Sequence, residues 1–219
     1  MKKILLVLGV TFFTAISAQD ENQMIIMNDA KESAALMESK DPSIFIKQIH
    51  PAAFDFMDKE TLINSFMTQT EGTADYKLNI LPGSPEQITV SDIMEGKNGH
   101  YAIVNHPVNM EMTFYKKFDE KYKAALTESF AAQGITPQFV SDDTLRLTKN
   151  SVVIAINDEK TEGEWRYLTY QPDSEMLNAI VDADILRKAA AVSRASVNSD
   201  AGKTKTTTAE PKKKTAKKK

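Results

Sequence analysis

Apolar residues in this chain recur first as a run, then every three to four positions, then every second position. The run, Ile4 to Phe13, is broken only by Gly9 and Thr11. Met27, Ala30, Ala34 and Met37 then follow at helical spacing and predict an amphipathic helix from about Gln23 to Ser39. Lys40-Asp41-Pro42 stops it and starts another. Asp41 suits an N-cap, and Pro42 suits the first helical position, where a missing N–H costs nothing. Ile44, Phe45, Ile46 and Ile49 make this second helix short and nearly all apolar. Pro51 ends it, because the residue before proline is pushed out of the helical region. A third helix is predicted from Asp58, with Leu62, Ile63, Phe66 and Met67 inward, to Gly72.

The period then falls to two. Tyr76, Leu78 and Ile80 alternate, Pro82-Gly83-Ser84-Pro85 turns the chain, and Ile88 and Val90 alternate again. Lys97-Asn98-Gly99 holds an Asn-Gly pair, which favours a tight hairpin because both central residues accept positive φ. The next strand is the longest. Its even positions read Ala102, Val104, His106, Val108, Met110, Met112 and Phe114, one buried face unless Pro107 inserts a bulge. Phe118, Tyr122, Ala125, Leu126 and Phe130 predict a helix closed by Gly134. Three more strands are expected, at Thr144–Thr148, Ser151–Asn157 and Glu164–Gln171. Pro172-Asp173 then caps one last helix through Met176, Leu177, Ile180 and Ile185.

Antiparallel strands with segregated helices define an α+β domain. The reading is a curved antiparallel sheet against N-terminal helices, with an additional mid-chain helix and a C-terminal helix. The stretch Asp41-Pro42-Ser43-Ile44-Phe45-Ile46-Lys47-Gln48-Ile49-His50-Pro51 resembles the segment of the NTF2-like (cystatin-like cone) superfamily where a short helix enters a His-Pro turn. That resemblance implies helices in the hollow of a curved sheet. It also implies either an isomerase, cyclase or dehydratase pocket or a binding module without catalysis, and a shared fold does not choose between these.

Met1-Lys2-Lys3, the apolar run and Ala15-Ile16-Ser17-Ala18 match the three parts of a bacterial signal peptide. The run is too short for a spanning helix of roughly 20 residues. Residues 1–18 are therefore expected to be removed near Ala18, leaving a periplasmic or secreted chain with no transmembrane segment. The chain has no cysteine, so it carries neither a disulfide nor a lipid-accepting thiol. Residues 19–194 read as one domain and 195–219 as a disordered Lys-rich tail, too poor in apolar residues to offset ordering entropy.

The net charge of −3 hides a division. Residues 203–219 hold eight lysines and one glutamate, a net +7, and the leader holds +2, so residues 19–202 carry −12. Lys212, Lys213, Lys214, Lys217, Lys218 and Lys219 are candidates for polyanion binding, for example to an anionic envelope component. The tail has no aromatic residue to stack on bases, which argues against nucleic acid. The alternative is a solvated tail.

His106 is the sharpest candidate for chemistry, a titratable side chain within an apolar strand face. The plainer reading is a hydrogen-bonded core histidine. Tyr101, Trp165 and Arg166 join it as candidate pocket residues, although an aromatic stripe at strand spacing is more often core. His100 and His106 stand roughly 20 Å apart along one strand, so the histidines predict no metal site. Asp142-Asp143 and Glu162-Gly163-Glu164 sit at predicted turns and serve backbone geometry. No Gly-rich phosphate loop or Gly-x-Ser-x-Gly elbow is present, so no cofactor is expected. The pattern favours an exported, non-catalytic binding or envelope-associated module. The alternatives are a small-molecule isomerase- or cyclase-like enzyme using His106 and a polyanion binder acting through the tail.

Overall fold

The computed structural model describes residues 21–33, 41–132, 135 and 137–203, with side chains as far as 195. The leader, Ala34, Met37, Gly134 and the lysines from 212 to 219 lie outside these residues. Helix α1 covers residues 21–33. Then come α2 (Pro42–Gln48), a 3-10 helix (Pro51–Asp55), α3 (Lys59–Glu71) and β1 (Tyr76–Leu81). β2 (Thr89–Val90), β3 (Met94–Glu95) and β4 (Gly99–Phe114) follow, then α4 (Glu120–Ala131) and β5 (Gln138–Phe139). β6 (Thr144–Asp158), a 3-10 turn (Glu159–Thr161), β7 (Arg166–Thr169), α5 (Glu175–Ile180) and α6 (Ala183–Lys203) complete the order.

Side-chain caps set the helix starts. Asp41 accepts from the Ser43 amide at 2.8 Å, with Pro42 at the first position. Asp58 accepts from Thr61 at 2.8 Å and opens α3. Each such cap satisfies one of the amides that a helix N-terminus leaves unpaired.

The strands form one open antiparallel sheet built on β4 and β6. Their register runs from Gly99 opposite Asp158 to Thr113 opposite Thr144 without a slip. Pro107 therefore inserts no bulge, and the even positions of β4 keep one face. The sheet narrows in the middle. On β4, β2 and β3 pair with residues from 100 to 105, and β1 pairs from 109 to 114. On β6, β7 pairs over 153–156 and β5 over 145–146. Around Pro107 and Asn150 only the two long strands remain.

Three apolar clusters follow from this shape. Tyr101, Ile103, Val152, Ile154, Ile156 and Leu168 face α2, α5 and α6. Ala102, Val104, Ala155 and Trp165 line the other face at the same end, under Ile26 of α1. Past the waist, Met112, Phe114, Leu145 and Leu147 gather Leu78, Phe118, Leu126 and Phe130. The even face of β4 is thus buried at both ends and only half-buried from His106 to Met110.

Several expectations are corrected. The two strands expected at Thr144–Thr148 and Ser151–Asn157 are one: β6 runs unbroken for 15 residues through Lys149 and Asn150, because β4 supplies partners on both sides of that pair. The last helix is two. Val181 leaves helical geometry after α5, and the neighbouring Asp182 carboxylate accepts from the Lys97 amide at 2.6 Å. The cap of α5 is Ser174, not Asp173, which instead takes a positive φ of 59°. The β3–β4 hairpin is present, but a Gly96-to-Gly99 hydrogen bond of 2.9 Å brackets Lys97-Asn98, and neither has positive φ. Gly99 serves close approach instead: a Cβ there would meet the Asn157 carbonyl at 2.3 Å. β5 was not anticipated, and α6 extends past residue 194 to Lys203.

Candidate functional site

The four pocket residues read from sequence do not converge. Tyr101 pairs with Ile156, which pairs with Arg166, so these side chains share the face under α2, α5 and α6. His106 and Trp165 belong to the opposite face. Trp165 is almost fully buried, and its indole N–H donates to Asn22 of α1 at 3.2 Å. Beside it, the Tyr167 hydroxyl donates to Asp29, and both burial and that carboxylate push the phenol far up. The aromatic stripe on β7 therefore docks α1. Arg166 pairs with Glu164 at the surface.

His106 sits at the waist, opposite Ser151, half-buried. Desolvation lowers its pKa below the ordinary histidine value, and the Pro107 backbone opposes that in part. No carboxylate or tyrosine among the described residues hydrogen-bonds to it. A general base needs an orienting partner and a reacting atom within reach. His106 has the burial but not the company.

The more organised histidine is His50, which the sequence marks only as the residue before Pro51 in a His-Pro turn. Its ring is fully buried. Nδ1 accepts from the Ala52 amide at 3.2 Å, which leaves the proton on Nε2, and Nε2–H donates to Asp158 Oδ2 at 3.0 Å. The His50 amide donates to the Tyr167 carbonyl at 3.3 Å, so Ile49 and His50 cover the outer edge of β7. Asp158 also accepts from the Lys160 and Thr161 amides at 2.9 and 3.1 Å. Burial lowers the His50 pKa, with Lys160 and Arg166 adding to it and Asp158 opposing. Both ring nitrogens are occupied and no solvent reaches them, so this pair is a clasp rather than an acid–base dyad. Next to it, burial first and then Asp182 and Asp158 push the Tyr101 phenol up to about 12. Its hydroxyl has no hydrogen-bond partner among the described residues.

A groove of about 300 Å³ opens between the end of β7, α5 and α6. Leu177, Leu186, Ala183 and Ala190 give it apolar walls, and Ser174, Asn178, Gln171 and Arg187 bring polar groups to it. Asp173, held in the left-handed region, turns the chain at its mouth. The Arg187 guanidinium pairs with Asp184 one turn earlier, both well exposed. Such exposed pairs are weak, so the Asp184 contact would hold the Arg187 guanidinium only loosely against a competing carboxylate. The volume lies at the lower end of the roughly 300–1,000 Å³ of small-molecule sites. None of Tyr101, His106, Trp165 or Arg166 lines it. The signal for it in sequence was the polar Ser174 and Asn178 beside Leu177, but reading α5 and α6 as one helix hid the groove.

The acidic pairs serve turns. The Asp143 carboxylate takes hydrogen bonds from Ser141 and Thr144, which hold its pKa low. Glu162 and Gly163 both have positive φ in the β6–β7 connection. The tail lysines lie outside the described residues. No family model, curated protein or solved structure matches the chain.

Proposed function

We propose that this protein is an exported, non-catalytic binding module whose ligand is a small amphipathic acid held between α5 and α6. The groove carries this reading: apolar walls, a few polar groups, and one guanidinium suited to a carboxylate. The histidines support it from the other side, since His50 is sealed by its two hydrogen bonds and His106 has no carboxylate or tyrosine partner among the described residues. Export rests on the leader, with cleavage after Ala18 leaving Gln19 as the first residue. No helix among the described residues is long and apolar enough to cross a membrane. The likeness to the NTF2-like cone family stays within this proposal, supported by the long antiparallel strands and the helix that runs into His50-Pro51.

The test is an amide-shift titration of the mature chain with hexanoate and with 1-hexanol. Hexanoate is expected to move Ser174, Asn178 and Arg187 more than the alcohol does, and Arg187→Ala is expected to erase the difference. Shifts centred on His106 instead would favour the pocket enzyme. Equal shifts from the two probes in the unaltered protein would remove the acid from the proposal.

A further inference from the structure

The turn that follows α2 places its residues inside out. Ala52 and Ala53 are buried, while Phe54, Phe56 and Met57 are 37%, 51% and 39% exposed. Small side chains thus occupy the interior, and three large apolar ones stand in solvent within four positions. Single exposed apolar residues are ordinary, but a cluster of large ones marks an interaction surface.

This cluster is also held rigidly. Pro51 fixes the first position of the 3-10 helix, and His50 caps it through Nδ1. The His50–Asp158 pair and the Lys160–Asp55 ion pair of 3.4 Å tie it to the turn after β6. The buried clasp, which serves no chemistry, therefore fixes the base from which these three residues project. A surface ordered before it meets its partner loses less entropy on binding.

Charge selects the occupant. Asp55, Asp58 and Glu60 belong to the same stretch, and Glu159 and Glu162 flank it from the turn that Lys160 joins to Asp55. Only Lys59 and Lys160 offset these five acids in those two segments. This excess of acid beside the cluster repels an anionic membrane, and it repels a second copy of itself placed face to face. We propose that Phe54, Phe56 and Met57 form a docking surface for a partner protein whose contacting face is apolar and rich in lysine or arginine. This surface is separate from the α5–α6 groove and stands whether or not that groove binds an acid.

The test uses a fluorescein-labelled amphipathic helical peptide of leucine and lysine, titrated with the mature chain and read by anisotropy. Phe54→Ser/Phe56→Ser/Met57→Ser is expected to weaken binding about tenfold or more, as loss of central apolar anchors does. Asp55→Asn/Glu159→Gln is expected to weaken it less and to reduce its salt dependence. If the triple variant has lost its circular-dichroism signal, Phe56→Ser alone, at the most exposed of the three, serves instead. Equal binding by the serine variant overturns the proposal. So does flotation with phosphatidylglycerol vesicles that the serine variant abolishes, which would make the surface a membrane contact. A concentration-dependent dimer abolished by the same variant would make it a self-interface and overturn the proposal too.

Discussion

His50 and Asp158 stand 108 positions apart in the chain, and their side chains meet at 3.0 Å. The contact joins the turn after α2 to the end of β6, while burial, working against the Asp158 carboxylate, favours the neutral imidazole. Protonation would place a second N–H on Nδ1, facing the Ala52 amide that it now accepts from.

Stability should therefore fall on mild acidification. Burial lowers the His50 pKa below the ordinary histidine value of about 6.5. Between the folded and unfolded values the unfolded chain binds more protons, so stability rises with pH across that window. The contribution is complete above about 6.5 and is lost as pH falls through the lower, folded value. His106 acts in the same direction. Urea titrations from pH 7.5 to 5 should show the slope, and His106→Gln should retain the part due to His50. A flat profile in that variant contradicts the assignment of His50 as a buried neutral group.

Asp158→Ala should cost more than an ordinary surface change. The carboxylate accepts from the His50 ring and from two amides of the following turn. Its loss leaves a buried N–H unsatisfied and removes a cap, together about 2 kcal/mol or more. Asp158→Asn keeps one acceptor and should lose less. The midpoints of chemical unfolding measure both.

Legibility in the sequence followed the range of the forces involved. The caps at Asp41 and Asp58 act within three residues, and the sequence shows the first as a cap and the second as a helix start. So was the alternation of Trp165 and Tyr167 against Leu168 and Tyr170, because side-chain period is intrinsic to a strand. What failed depended on distant partners. Lys149-Asn150 has turn chemistry, yet Pro107 and Val108 lie opposite and hold it extended. The break between α5 and α6 lies beside Asp182, whose carboxylate binds an amide 85 residues away. The role of His50 was invisible for the same reason, since nothing near it announces Asp158. A histidine directly before the proline that opens a turn was the one local hint.

The narrowing of the sheet at Pro107 and Asn150 predicts unequal unfolding of its two ends. Leu145 is fully buried beyond the waist, and Leu145→Ala should cost about 2–5 kcal/mol. Trp165, the only tryptophan, reports the other end, where it lies against α1. In the variant, the far-ultraviolet signal should begin to fall at lower urea than the tryptophan emission shifts. Coincident transitions would show that the two-strand waist couples both ends into one cooperative unit.

Gly96→Ala tests the crowding beneath the β3–β4 hairpin. A Cβ at this position would lie 2.3 Å from Asp182 Oδ2 and 2.5 Å from the Tyr101 ring. The ring is fully buried among Ile156, Val181 and Ile185, so it has no free direction in which to yield. Asp182 is the softer neighbour, but moving it gives up the hydrogen bond from the Lys97 amide. Overpacking of this kind typically costs about 1–3 kcal/mol. Gly96 has no positive φ, so backbone strain adds nothing. Pairing Gly96→Ala with Asp182→Ala separates the two clashes: a cost that shrinks in the double variant comes from the carboxylate, and a cost that persists comes from Tyr101. Thermal unfolding of the three variants beside the unaltered chain reads that difference, and an unchanged midpoint in Gly96→Ala would show that the hairpin moves away from both.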